Sequence, residues 1–153
     1  MTRFIPFLIC LFVTPGSAFA QERVTDTELR AAYCLGVVRA QAEWIRGDLV
    51  KTALAGKQIV ERESRLFDYL SAKGFLNGRE TAGISMGIIR GKNDLAQCRS
   101  DPVKLACQAA CPKIGDGSDI VSTTKSLECT GRCVDKSDVC KRTKGCLHDF
   151  LPF

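Results

Sequence analysis

The chain has 153 residues, nine of them cysteine and one histidine, and its 22 Lys and Arg against 17 Asp and Glu give a formal charge of +5. The excess is spread evenly, since residues 21–97 and 98–153 each carry +2 with no block of one sign. That pattern argues against a nucleic acid or an anionic membrane surface as partner, and the length suits one domain with a real core.

The first twenty residues read as a secretory signal peptide. Arg3 precedes an apolar run, Phe4 to Val13, and Ala18-Phe19-Ala20 follows as a small-residue cleavage site, so the mature chain is expected to start at Gln21. The run is too short for a comfortable transmembrane helix, and no later stretch offers one. Cleavage between Ala20 and Gln21 removes Cys10 and leaves eight cysteines. An even number in an exported chain argues for four disulfides in an oxidising compartment, secreted or periplasmic.

Residues 21–97 read as a helical bundle. Thr25 and Glu28 form a capping box for a helix to about Arg46, with Gly47 as its stop and Leu29, Tyr33, Val37, Ala40 and Trp44 as a core-facing stripe. Asp48 opens a second helix, to about Lys73, with the stripe Leu49, Ala53, Val60, Phe67 and Leu70 and a stop at Gly74. A third runs from the capping box Asn77 to Glu80 to about Gln97, with Ile84, Ile88 and Leu95 in line and Met86 and Ile89 beside them. Gly83, Gly87 and Gly91 recur every four residues there. Each costs about 1 kcal/mol against Ala in a helix, so three together imply close approach of a neighbour.

Residues 98–153 hold seven of the nine cysteines, including the twin spacings Cys107-x3-Cys111 and Cys129-x3-Cys133. Residues i and i+4 share a helix face, so each motif stacks two thiols one turn apart. Asp101-Pro102 is an N-cap with proline at the first helical position, Pro112 stops the run, and Gly115 to Ser118 make a turn before a second helix over about 122–134. Two such helices packed antiparallel pair Cys107 with Cys133 and Cys111 with Cys129. Leu147, Phe150, Leu151 and Phe153 then make an apolar tail, read as a clasp on the bundle. The expected fold is all-α: about three bundled helices, a stapled antiparallel hairpin and a short C-terminal tail, packed as one domain.

The twin CxxxC hairpin resembles the α-hairpinins of plants and the small Tim chaperones of the mitochondrial intermembrane space. The resemblance spans Cys107 to Cys133 and is one of spacing; it implies the hairpin fold. Because hairpinins include protease inhibitors, it also makes Lys113 or Lys125 a candidate inhibitory residue.

Cys34, Cys98, Cys140 and Cys146 allow two arrangements. Cys34–Cys98 with Cys140–Cys146 closes each region on itself and is the preferred reading, although it asks helix 3 to shift by about 15 Å at 1.5 Å per residue. Cys98–Cys140 with Cys34–Cys146 extends the ladder and ties the tail to helix 1.

No catalytic or cofactor-binding constellation is visible. A Gly-x-Ser-x-Gly spacing occurs at Gly83-Ile84-Ser85-Met86-Gly87, but it falls inside the third helical run and not at the strand-to-helix turn a nucleophile elbow needs. The sequence lacks a phosphate loop and a dinucleotide fingerprint, and His148 reads as a tail residue. CxxC, the usual zinc and redox spacing, is absent, which leaves no metal site and no redox centre as the expectation. The expected function is non-enzymatic: an exported, disulfide-stabilised protein that binds a protein or envelope partner. An inhibitor of a protease or envelope enzyme and a thiol-based metal carrier are the alternatives. Trp44 and the basic run Lys141 to Lys144 are candidate contact residues, weighed against core and solvated surface respectively.

Overall fold

A computed structural model describes residues 24–47, 56–76, 81–113 and 120–148. Among these residues the fold is all-α, with no strand. Six helices follow in order: α1 Asp26–Arg46, α2 Lys57–Ala72, α3 Ala82–Ser100, α4 Pro102–Ala109, α5 Ile120–Val134 and α6 Asp138–His148. The leader, the start proposed for the second helix, the Asn77 box, the hairpin turn and Phe150 to Phe153 lie outside the described residues.

The capping box of α1 forms as a reciprocal pair. Glu28 N–H donates to Thr25 Oγ1 at 3.3 Å and Thr25 N–H donates to Glu28 Oε2 at 2.7 Å. α1 is the central helix, packed by α2, α3 and α6. It is therefore buried almost all round between Ala31 and Ala42, and no single stripe describes it. Leu29 and Trp44, at the ends of the expected stripe, are exposed.

Of the stripe expected on α2, Leu70 is buried but Val60 and Phe67 are not. Leu66 and Leu70 are buried and Ile59 and Tyr69 pack beside the core, whereas Val60 and Phe67 face outward. Gly74, at φ 79°, ends the helix, and Phe75 N–H donates back to Leu70 O at 3.0 Å, which tucks Phe75 into the core.

α3 is capped by Thr81 and runs parallel to α1 at very close range. A Cβ on Gly36 would stand 2.0 Å from Ile88 O, and one on Gly91 2.0 Å from Tyr33 O. These glycines set the crossing: backbone meets backbone, with no room for a methyl group. The register fixed there sends Ile84 and Leu95 inward and leaves Met86 and Ile89 exposed.

Asp101 ends α3 and begins α4. Its Oδ1 accepts from Lys104 N–H and its Oδ2 from the Ser137 hydroxyl, each at 2.9 Å, so one carboxylate joins the α4 start to the α6 start. Ser137 itself caps α6 through the Cys140 N–H at 3.3 Å. α4 and α5 form the hairpin, bridged by Cys107–Cys133 and Cys111–Cys129 with Cα separations of 5.5 and 5.8 Å.

The preferred pairing of the other four cysteines is corrected. The bridges are Cys34–Cys146 and Cys98–Cys140, each with Cα atoms 4.9 Å apart; Cys34–Cys98 and Cys140–Cys146 do not form. The glycine crossing explains the outcome. With Gly36 at Ile88 and Gly91 at Tyr33, Cys34 is level with about residue 89 of α3, so Cys98 stands roughly 13 Å past it at 1.5 Å per residue. Cys140 and Cys146 lie six residues apart in one helix and point to different faces, and their rise of about 9 Å covers most of that offset. α6 is thus a helix laid across α1 and α3, not a tail. Its apolar spacing of Val139, Cys140, Thr143, Cys146 and Leu147 signals this in retrospect. Arg62 fastens its end from α2, donating to Cys146 O at 2.9 Å and His148 O at 3.0 Å.

Candidate functional site

Where α6 crosses the α1–α3 pair, it carries Arg142 one turn before Cys146. The Cys34–Cys146 bridge holds that helix down, and Arg142 reaches Asp94 on α3, donating from Nε at 3.2 Å and Nη2 at 3.1 Å. The Tyr33 hydroxyl of α1 donates to the same Asp94 Oδ2 at 2.9 Å. Asp94 is only 8% exposed, so its charge is withdrawn from water and answered by these two donors from two other helices. Burial first, and then the hydrogen bond to Asp94, push the Tyr33 phenol up to about 12. The bond to Asp94 likewise raises Arg142 above its ordinary value, so its guanidinium stays charged.

Above this network lies an open cavity of about 610 Å³ between α1, α3 and α6. Its apolar lining comes from Leu29 and Met86 over Gly83 and Gly87, with the Cys146 end of the bridge behind them. Arg30, Arg90 and Arg142 stand around it, and among the described residues no carboxylate lines it. Met86 is 66% exposed, which is high for a residue on a helix packed so tightly. The even charge of the two halves hides this cluster, because Arg30, Arg90 and Arg142 come from three distant segments. A local sign exists in α3, where Met86 and Arg90 share a face at i, i+4.

The other residues singled out from sequence fall elsewhere. Trp44 is 45% exposed, and the Arg99 guanidinium lies 4.9 Å from its ring centroid while donating to Ala40 O and Gln41 Oε1. It is a surface residue covered on one side by a cation. Of the basic run, Lys141 pairs with Asp138 at 3.5 Å and Lys144 with Asp135 at 2.8 Å; Arg142 alone enters the groove. Lys113 and Lys125 are exposed on the hairpin, remote in sequence from the groove residues. His148 borders a second cavity of about 390 Å³ with Gln41, Ile45 and Arg62.

The hairpin sulfurs of Cys111, Cys129 and Cys133 lie within 4.8 Å of one another, and Cys111 Sγ stands 3.7 Å from Cys133 Sγ. All three are engaged in bridges, and a disulfide sulfur lacks the thiolate charge that a zinc or copper site needs. No protein-family model, no curated protein and no solved structure matches this chain. Four disulfides fit an oxidising compartment, and no helix among the described residues is long and apolar enough to cross a membrane.

Proposed function

We propose that this chain is an exported, disulfide-stabilised, non-enzymatic binding protein that engages an anionic protein or envelope component through the α1–α3–α6 groove. The observation that carries this reading is the meeting of Arg30, Arg90 and Arg142 over an apolar floor of Leu29 and Met86. Groups of one charge around an apolar pocket steer and orient a partner of opposite charge. The four bridges support the same reading, since they hold a small scaffold rigid and so lower the ordering cost of association. Secretion rests on the leader pattern; N-terminal sequencing of the exported protein should begin at Gln21.

A photoreactive residue placed at Met86, with one at Leu127 on the hairpin as control, tests the reading in envelope extract. A defined adduct is expected at Met86 alone, weakened by salt because rim charges are screened beyond about 8–10 Å, and lost in Arg90→Glu. Equal labelling at both positions, or labelling indifferent to salt and to Arg90, would sink it.

A further inference from the structure

Resting on that reading, we propose that the groove holds a single-chain anionic amphiphile, its alkyl chain along Leu29 and Met86 and its phosphate or carboxylate head among Arg30, Arg90 and Arg142. Size is the first argument. A cavity of about 610 Å³ falls within the range of small-molecule sites, about 300–1,000 Å³. A protein interface recruits roughly 20–30 residues a side, far more than line this one.

The second argument is the division of chemistry within the groove. Leu29 and Met86 present apolar surface to water, and Met is a flexible side chain that moulds to an alkyl chain. Two of the guanidinium groups, those of Arg90 and Arg142, keep capacity for a ligand. Arg90 makes no hydrogen bond or ion pair among the described residues, and Arg142, whose Nε and Nη2 donate to Asp94, still has its side chain 48% exposed at the groove. Arginine binds phosphate and carboxylate through paired N–H donors, which suits a charged head.

The third argument is how Arg142 is held. Asp94 neutralises part of its charge yet fixes its direction, and the bridge Cys34–Cys146 fixes the helix that carries it. The anionic head therefore meets a pre-oriented donor, and less side-chain freedom is lost on binding.

The test uses the disulfide-bonded mature chain with dodecyl phosphate, dodecanoate, dodecanol and inorganic phosphate in separate calorimetric titrations below micelle formation. One molecule of dodecyl phosphate or dodecanoate per chain is expected, at least about tenfold tighter than dodecanol or inorganic phosphate; which of the two binds tighter distinguishes phosphate from carboxylate heads. Arg90→Ala, which removes no hydrogen bond or ion pair among the described residues, should weaken binding of the amphiphile by about tenfold with an unchanged thermal transition. Met86→Asn should weaken it independently. Dodecanol binding as well as dodecyl phosphate, inorganic phosphate binding as well as either, or indifference to both substitutions would overturn the proposal. If the amphiphiles fail while the Met86 adduct in extract persists and stays sensitive to Arg90→Glu, the groove is a protein-docking site and only this inference falls.

Discussion

The Tyr33 hydroxyl donates to Asp94 Oδ2 at 2.9 Å, across 61 residues of chain and between the two parallel helices α1 and α3. This bond makes a phenol part of the packing, and it gives the fold an alkaline limit. Tyr33 is raised from 10.0 to about 12, so the folded state holds its proton more tightly than the unfolded state does. Its contribution is fully present below about pH 10 and is lost as pH rises through about 12. In a Tyr69→Phe background the remaining phenol should titrate near 12 when folded and near 10 in denaturant. The stability difference from a further Tyr33→Phe change should shrink over the same interval. A folded Tyr33 that ionises near 10 would mean that the bond to Asp94 is absent in solution.

Arg142→Ala leaves Asp94 buried with Tyr33 as its remaining donor. Hydrogen bonds to charged groups contribute about 1.5–3 kcal/mol. Since the Arg142 side chain is 48% exposed, screening should hold the loss near the lower end, at about 1–2 kcal/mol. Urea denaturation measures it, and Arg142→Lys should recover only part, because the two-nitrogen contact needs a planar guanidinium. Full recovery by lysine would reduce the contact to a simple charge effect.

Gly36→Ala and Gly91→Ala should each destabilise the fold even though alanine is the better helix former. A Cβ at either position meets a carbonyl oxygen at 2.0 Å, so α1 and α3 must separate. Overpacking of this kind costs typically about 1–3 kcal/mol, against the roughly 1 kcal/mol that alanine contributes by propensity. Gly131→Ala and Gly145→Ala, where nothing lies within 4 Å of the added methyl, serve as controls and should be neutral or stabilising. Equal behaviour of all four variants in thermal melts would remove the close crossing.

Partial reduction and mass mapping should recover Cys34–Cys146 and Cys98–Cys140 alongside the two hairpin bridges. The sequence separations are 112 for Cys34–Cys146 and 18 for Cys111–Cys129. In the chain-entropy picture the longer closure is worth about 1.6 kcal/mol more than the shorter, so the double alanine change at Cys34 and Cys146 should be the more harmful. It should also weaken groove binding by releasing α6, whereas loss of Cys111–Cys129 should leave binding intact. Binding insensitive to both changes would separate the groove from the bridge behind it.

Much of this arrangement is written in short-range patterns. Thr25 with Glu28, Asp101 with Pro102, and Gly74 each act within one turn, so the starts of α1 and α4 and the end of α2 are legible residue by residue. The i, i+4 thiol pairs and the short linker between them likewise prescribe the antiparallel hairpin pairing, and the four-residue glycine period announces close packing along α3. What those signals do not carry is which surface each helix meets. α1 is enclosed from three sides, so Val37 and Ala40 of its stripe are buried but the core face is far wider than the stripe, whose ends Leu29 and Trp44 are exposed; on α2, Val60 and Phe67 read as inward and lie outward. The pairing of Cys34 and Cys98 depended on an axial offset set by Gly36 against Ile88, a contact between helices far apart in the chain. The groove depended on it too, since Arg30, Arg90 and Arg142 converge only after α6 is laid across the parallel pair. Local hydrogen bonds fix where helices begin and end, whereas register and crossing come from packing at long range, and it is packing that brings the three arginines to one place.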